Sequence, residues 1–359
     1  MRKTLRFLLP AAIVLLNSAA FPPAAGAARR YSPWRAPNYA DSTVGDKTEG
    51  EDPVARQAAV AGLGRFHGSV VVVDTNTGRI LTMVNQKLAM QGGFIPCSTI
   101  KIPVALAALS EGIIERTTRA RVGGAAIDMT EALARSNNRY FEDLGRKLGF
   151  EKVIYYNKLF GLGEKAILNV PEEKPGTLPE APPAPRGVGR MCSFGEGITV
   201  TPSQLGALVT AVANGGALYY LQHPRSAEEL AGFVPRIKRR LNIQEWIPDI
   251  KPGMMGAVVF GTAQRARFDP DRPILGKTGT CTDRDSATHM GWFAAFNEFG
   301  QNRLAVVVLL AGADAVSGPV AAGVGGAVFR NLAAAGYFDE DLRYSPLAMV
   351  GAGSCCAGR

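Results

Sequence analysis

The most regular apolar pattern lies towards the two ends of the chain. "SVVVVD" and "RILTMV" are β-branched runs around "TNTG", a turn carrying a glycine, and they predict strand, turn and strand. Towards the other end, "RPILGKTGTC" predicts a strand, and "THMGWFAAF" and "RLAVVVLLAG" a hairpin across "NEFGQN". A final helix is expected over Pro319 to Leu332. Between these ends the spacing is helical. A short helix, "DPVARQAAVAGL", precedes the first of these strands; between the ends come a helix starting near Ser98 and a helical region reaching about residue 160. A Pro-rich loop follows. "TPSQLGALVTAVANGG" is then punctuated at both ends: Thr201 fits the N-cap, Pro202 the first turn, Gln204 the capping box, and Asn214-Gly215 the stop. The pattern predicts an α+β fold. Its antiparallel sheet is built from both chain ends, with helices on both faces and an inserted helical subdomain over about 95–215.

Composition changes this picture mainly at the start. Arg2, Lys3 and Arg6 precede "FLLPAAIVLL" and then "AAGAA", the order of a secretory signal peptide ending at Ala25-Gly26-Ala27. Pro10 and Asn17 break the run short of a spanning helix, so a cleaved leader over residues 1–27 is favoured over a membrane anchor. Residues 28–53 lack an apolar period and are read as a tether. Residues 54–338 are expected to form one domain, and 339–359 a weakly structured tail. The expected location is the periplasm or cell envelope, with peripheral or anchored membrane association as the alternative. A net charge of +9 on an exported protein suits anionic envelope surfaces better than nucleic acid. The basic run Arg236 to Arg240 is read as a solvated face. The 3 histidines are not clustered with cysteines or carboxylates, which excludes an obvious zinc site and leaves little room for a Ser-His-Asp triad. No cofactor is expected.

The candidate chemistry begins in "IPCSTIKIP". Ser98 and Lys101 are three apart, so on a helix both side chains share one face. A serine hydroxyl needs a neighbouring base, and a lysine can be that base when burial and a second cation keep it neutral. Two further elements follow. "RSNNRYF" holds Ser136 and Asn138, an S-x-N, and "LGKTGT" holds Lys277, Thr278 and Gly279. Together S-x-x-K, S-x-N and K-T-G form the mechanistic signature of serine acyl-transfer enzymes that handle penicillin.

The chain resembles the transpeptidase domain of penicillin-binding proteins from about residue 66 to 333. "YFEDLGRKLGFEKVIYYNKLFGLG", "GEGITVTPSQLGALVTAVANGG", "GMMGAVVFGTAQRA" and "HMGWFAAF" are all similar to that family. The resemblance implies Ser98 as the acylated nucleophile, Lys101 as its base and Ser136 as the proton relay to the leaving group. It implies Asn138 on the substrate amide, Lys277 as positive potential, Thr278 and Thr280 on the substrate carboxylate, and the backbone N–H groups of Ser98 and Thr280 as the oxyanion hole. The expected partners are peptidoglycan stem peptides and β-lactams.

The resemblance also bears on the cysteines. If the amides of Ser98 and Thr280 face one oxygen, Cys97 and Cys281 come close, and certain carbapenem-hydrolysing class A β-lactamases carry cysteines at these places. A Cys97–Cys281 disulfide is therefore expected, provided the Cα atoms approach within about 7 Å. Cys192, Cys355 and Cys356 are left without a role. Three outcomes share this machinery: a D,D-transpeptidase or carboxypeptidase, a β-lactamase, and a sensor that stays acylated. Glu172 and Glu173 in "VPEEKPG" lie downstream of S-x-N, where class A β-lactamases place a deacylating glutamate. Transpeptidases carry a similar acidic loop.

Overall fold

The computed structural model describes residues 34–339 except Gln91 and Phe268. The proposed leader and all but the first residue of the tail, with Cys355 and Cys356, lie outside the described residues.

In chain order, α1 (Pro53–Leu63) leads to β1 (Gly68–Asp74), β2 (Ile80–Val84) and the short α2 (Gln86–Met90). Asp52 caps α1 by accepting from the Ala55 amide at 2.9 Å, Pro53 occupies the first turn, and Gly64 closes the helix at φ +58°. A single 3-10 turn, Cys97–Ile100, runs into α3 (Lys101–Ser110). A small hairpin of β3 (Ala120–Val122) and β4 (Ala125–Ile127) precedes α4 (Met129–Ala134), α5 (Asn138–Leu148) and α6 (Phe150–Leu159). After the Pro-rich loop come α7 (Gly187–Phe194) and α8 (Pro202–Ala213), where the capping box of Thr201 and Gln204 is formed in both directions. Then β5 (Ala217–Tyr220), α9 (Ala227–Ala231), β6 (Arg236–Arg240) and α10 (Ile247–Val259) lead to β7 (Ile274–Asp283), β8 (Thr288–Asn297), β9 (Leu304–Gly312) and α11 (Gly318–Ala334).

The main sheet has the order β2-β1-β9-β8-β7 and every pair is antiparallel. Its centre joins the two chain ends, for example Val70 opposite Val308. β1 and β9 are buried along their whole length because helices cover both faces. Alternation then splits each strand between two cores: Val70 and Val72 pack with α1 and α11, while Val71 and Val73 pack with α8 and the inserted helices. The expected fold class matches this architecture. β7 is an edge strand, and its outer side faces the Cys97–Ile100 turn.

One expectation is corrected. From Trp34 onward the segment read as a tether is fastened to the domain. The Arg35 amide donates to the Ala287 carbonyl at 3.0 Å and the Ala313 amide to Asn38 Oδ1 at 2.7 Å. Asp46 accepts from the Asn85 and Gln86 amides and from Arg56. Glu51 is buried and accepts from the Met83 amide (2.9 Å), Thr82 Oγ1 (2.8 Å) and His223 Nε2 (3.0 Å). The docking is polar, so no apolar period announces it. The basic run Arg236 to Arg240, read as a solvated face, forms β6, and its Arg236 and Arg240 are exposed as expected. It pairs with β5, and Lys238 and Arg239 both form ion pairs with Glu164.

Burial alone would raise the pKa of Glu51, but the hydrogen bonds from His223, Met83 and Thr82, with the charge of Arg56, hold it below the ordinary carboxylate value. Its contribution is therefore present above the unfolded pKa near 4.5 and is lost as pH falls through the lower folded value. Glu51→Gln keeps the shape but removes the charge, and should lower stability by about 2 kcal/mol at pH 7. Urea unfolding at pH 7 and pH 3 checks this: the gap between variant and wild type should shrink at the acid end.

Candidate active site

Ser98 sits in the 3-10 turn and Lys101 begins α3, a finer division than the single helix expected from the sequence. In a 3-10 turn residues three apart eclipse one another, which stacks the lysine over the serine more directly than an α-helix would. Lys101 Nζ lies 2.7 Å from Ser98 Oγ, 2.9 Å from Asn138 Oδ1 and 2.6 Å from the Ser193 carbonyl oxygen. Lys101 is fully buried, and the rings of Phe141 and Phe194 lie 5.7 Å from its nitrogen. Burial, then the charge of Lys277, drives its pKa well below the usual lysine range. Glu142 opposes this and Arg190 reinforces it. Three oxygens surround the nitrogen; once it is neutral, two N–H groups can serve the two carbonyl oxygens while the lone pair turns to accept the Ser98 O–H.

S-x-N forms the junction of two helices. Ser136 adopts φ +56°, the left-handed region that a non-glycine residue occupies at a cost of about 1–3 kcal/mol. Asn137 then caps α5 by accepting from the Tyr140 amide, so Asn138 opens the helix facing Lys101. Among the described residues the Ser136 hydroxyl and the Asn138 side-chain nitrogen have no hydrogen-bond partner, so both are available to a ligand.

K-T-G lies in the middle of β7. Lys277 is fully buried, its pKa is pulled down to about 7 by that burial, and it donates to the Thr278 carbonyl at 2.9 Å. The hydroxyls of Thr278 and Thr262 are 2.5 Å apart. Thr280 is exposed, and its oxygen accepts from the Gly318 amide at 2.7 Å, which leaves its O–H free to donate outward. Gly279 meets the nucleophile's turn. A Cβ there would lie 3.0 Å from the Pro96 carbonyl, 3.1 Å from Cys97 Cβ and 3.3 Å from the Ser98 amide, tight against backbone. Two residues further, Cys281 is joined to Cys97 with their Cα atoms 5.5 Å apart. The three motifs therefore stand on three adjoining elements: the 3-10 turn with α3, the α4–α5 junction and β7.

Residues 68–334 match the family model described as "Penicillin binding protein transpeptidase domain". The chain belongs to the penicillin-binding protein transpeptidase family. Within it, the chain is 29% identical over 223 residues to stage V sporulation protein D of Bacillus subtilis, covering 55% of this chain and 34% of that protein. It is 25% identical over 319 residues to the peptidoglycan D,D-transpeptidase FtsI of Escherichia coli, covering 74% of this chain and 51% of that one. The chain thus spans between a third and about half of these relatives' lengths. Penicillin-binding protein A from M. tuberculosis, in a structure described as an imipenem acyl-enzyme complex, shares the fold at TM-score 0.64 and 23% identity, with 78% of each chain covered. The D,D-transpeptidase domain of a peptidoglycan glycosyltransferase from Eggerthella lenta superposes at TM-score 0.63 and 19% identity, over 79% of this chain and 82% of that one.

Several parts of this transpeptidase site escaped sequence reasoning. The Ser193 carbonyl that holds Lys101 has no side-chain signature, and Thr262 partners Thr278 from the loop after α10, outside every motif. Glu142, Arg190 and the two phenylalanines set the field around Lys101. Glu172 and Glu173 are engaged elsewhere: Glu172 pairs with Arg225, and Glu173 is buried and accepts the Ile167 amide at 2.8 Å. Desolvation raises the Glu173 carboxyl to about 7, against the backbone hydrogen bonds of Ile167 and Ala166 and the charges of Lys165 and Lys238.

Proposed function

We propose that this transpeptidase domain is a serine D,D-peptidase that cleaves the terminal D-Ala-D-Ala bond of peptidoglycan stem peptides through an acyl-enzyme on Ser98. The observation that carries the reading is the triply held, buried Lys101 nitrogen 2.7 Å from the serine hydroxyl. The Ser98 proton passes to the Lys101 lone pair as Oγ attacks the penultimate carbonyl carbon. The amides of Ser98 and Thr280 take the negative charge that develops on its oxygen. Ser136 relays that proton from Lys101, giving its own hydrogen to the departing D-alanine nitrogen as the C–N bond breaks and taking the lysine's in exchange. Asn138 presents its free N–H to the substrate amide. Lys277 supplies positive potential, while Thr278 and the outward O–H of Thr280 bind the terminal carboxylate. An incoming amine completes transpeptidation, and water completes carboxypeptidation. β-Lactams acylate the same serine, in a cell-envelope setting reached through the leader. The Cys97–Cys281 bond holds the two oxyanion donors together.

The experiment is mass spectrometry of penicillin-treated protein. One adduct is expected on the peptide containing Ser98, absent in Ser98→Ala, and an unmodified wild type would overturn the reading. The adduct should persist for many minutes, because of the glutamates considered for activating water, Glu172 pairs with Arg225 and Glu173 accepts the Ile167 amide through one oxygen, and neither makes a contact to Ser98 or Lys101 among the described residues. Loss within seconds would identify a β-lactamase instead. Release or transfer of D-alanine from a stem peptide excludes a sensor without turnover.

A further inference from the structure

A cavity of about 450 Å³ lies between the β3–β4 hairpin and α5. It is tied to the site through α5, where Arg139, which lines the cavity, directly follows Asn138 in the chain. Glu142, one turn on, also lines it and lies 3.4 Å from the Ser193 hydroxyl, whose carbonyl holds Lys101. The hairpin turns on Gly123 and Gly124, both at positive φ, and brings Gly123 against Arg139: a Cβ on the glycine would lie 3.1 Å from the guanidinium.

The lining carries an excess of positive charge. Its two carboxylates are matched, Asp143 by Lys147 at 2.9 Å and Glu142 by Arg146 at 4.0 Å. Three arginines remain. Arg119 gives one nitrogen to the Ala126 carbonyl, while Arg121 and Arg139 form no hydrogen bond or ion pair among the described residues. An independent observation comes from Tyr140, which also lines the cavity. It is 1% exposed, yet its hydroxyl has no partner. A buried hydroxyl of this kind ordinarily meets a ligand or water. Burial, with Asp128 and Asp143 nearby, pushes its pKa up to about 12, so it stays a donor.

We propose that this cavity is a second subsite, which takes the free carboxylates of a peptide whose reacting end lies at Ser98. Guanidinium forks match planar carboxylates in a two-point geometry, and the volume suits a stretch of peptide better than a lone ion. The identity of the peptide rests on the peptidase reading; the carboxylate preference does not.

Calorimetric titration with the tripeptide L-Ala-γ-D-Glu-L-Lys and with its diamide, which lacks both carboxylates, tests this. Wild-type protein should bind the free acid about tenfold more tightly than the diamide. Arg121→Ala, on the exposed hairpin, should weaken the acid about tenfold and leave the diamide unchanged, so that the variant no longer tells them apart. Equal wild-type affinities, an equal loss for both ligands in Arg121→Ala, or no binding of the acid at about 10 mM would each overturn the proposal. Failure of the enzyme reading would appear separately, as absence of the penicillin adduct on Ser98.

Discussion

Lys101→Arg should slow the acylation of Ser98 by penicillin about a thousandfold, within the range that a positioned general base contributes. Once neutral, the wild-type amine keeps two N–H groups for the Asn138 and Ser193 oxygens and has a lone pair to turn towards the serine oxygen 2.7 Å away. Arginine keeps donors but never becomes neutral, so it has no lone pair to offer. The pH dependence gives a second readout. Acylation by wild type should rise with pH as Lys101 loses its proton, from a pKa already far below the ordinary lysine value. It should fall again as Lys277, at about 7 in the free protein, loses the charge that attracts the ligand carboxylate. A bound carboxylate favours the charged lysine and moves this falling limb upward. Stopped-flow acylation from pH 5 to 10 tests both. An arginine variant as fast as wild type, or a rate that does not respond to pH, would remove Lys101 from the role of base.

The second large effect concerns the Cys97–Cys281 bond, which spans 184 residues. Loop-closure entropy for such a span is worth about 3–5 kcal/mol, and for a domain of this size that translates to about 5–8 °C in Tm. Cys97→Ser/Cys281→Ser should show this drop, and reduced wild type should show the same one. Acylation should slow more in proportion than Tm suggests, because the bond fixes the nucleophile's turn beside β7, where an error of ~1 Å can cost about 100-fold. Equal melting of oxidised and reduced protein would show that folding alone holds the two segments together.

How much of this was readable in the sequence depended on the kind of contact. The sheet was legible because β1, β8 and β9 are largely buried strands, and buried β-branched runs leave a strong trace. The site was legible at Ser98, Lys101, Asn138 and Lys277 because their chemistry restricts residue type at fixed spacings. The docking of residues 34–52 was not, since it uses isolated carboxylates such as Asp46 and Glu51 against backbone amides, a pattern shared with solvated chain. Nor was the 3-10 turn, because a spacing of three suits either helix type. Ser193 contributes only a carbonyl, which every residue has. For Arg236 to Arg240, charge density hid a strand, because what makes the run a strand is backbone pairing with β5, which side-chain charge does not reveal.

The seam between β1 and β9 also sets a timetable. Val70 cannot meet Val308 until almost the whole domain has left the ribosome, so a chain halted before Leu304 holds Ser98, Lys101 and Lys277 without the frame that orients them. The five-stranded frame is therefore completed only in the last stage of synthesis.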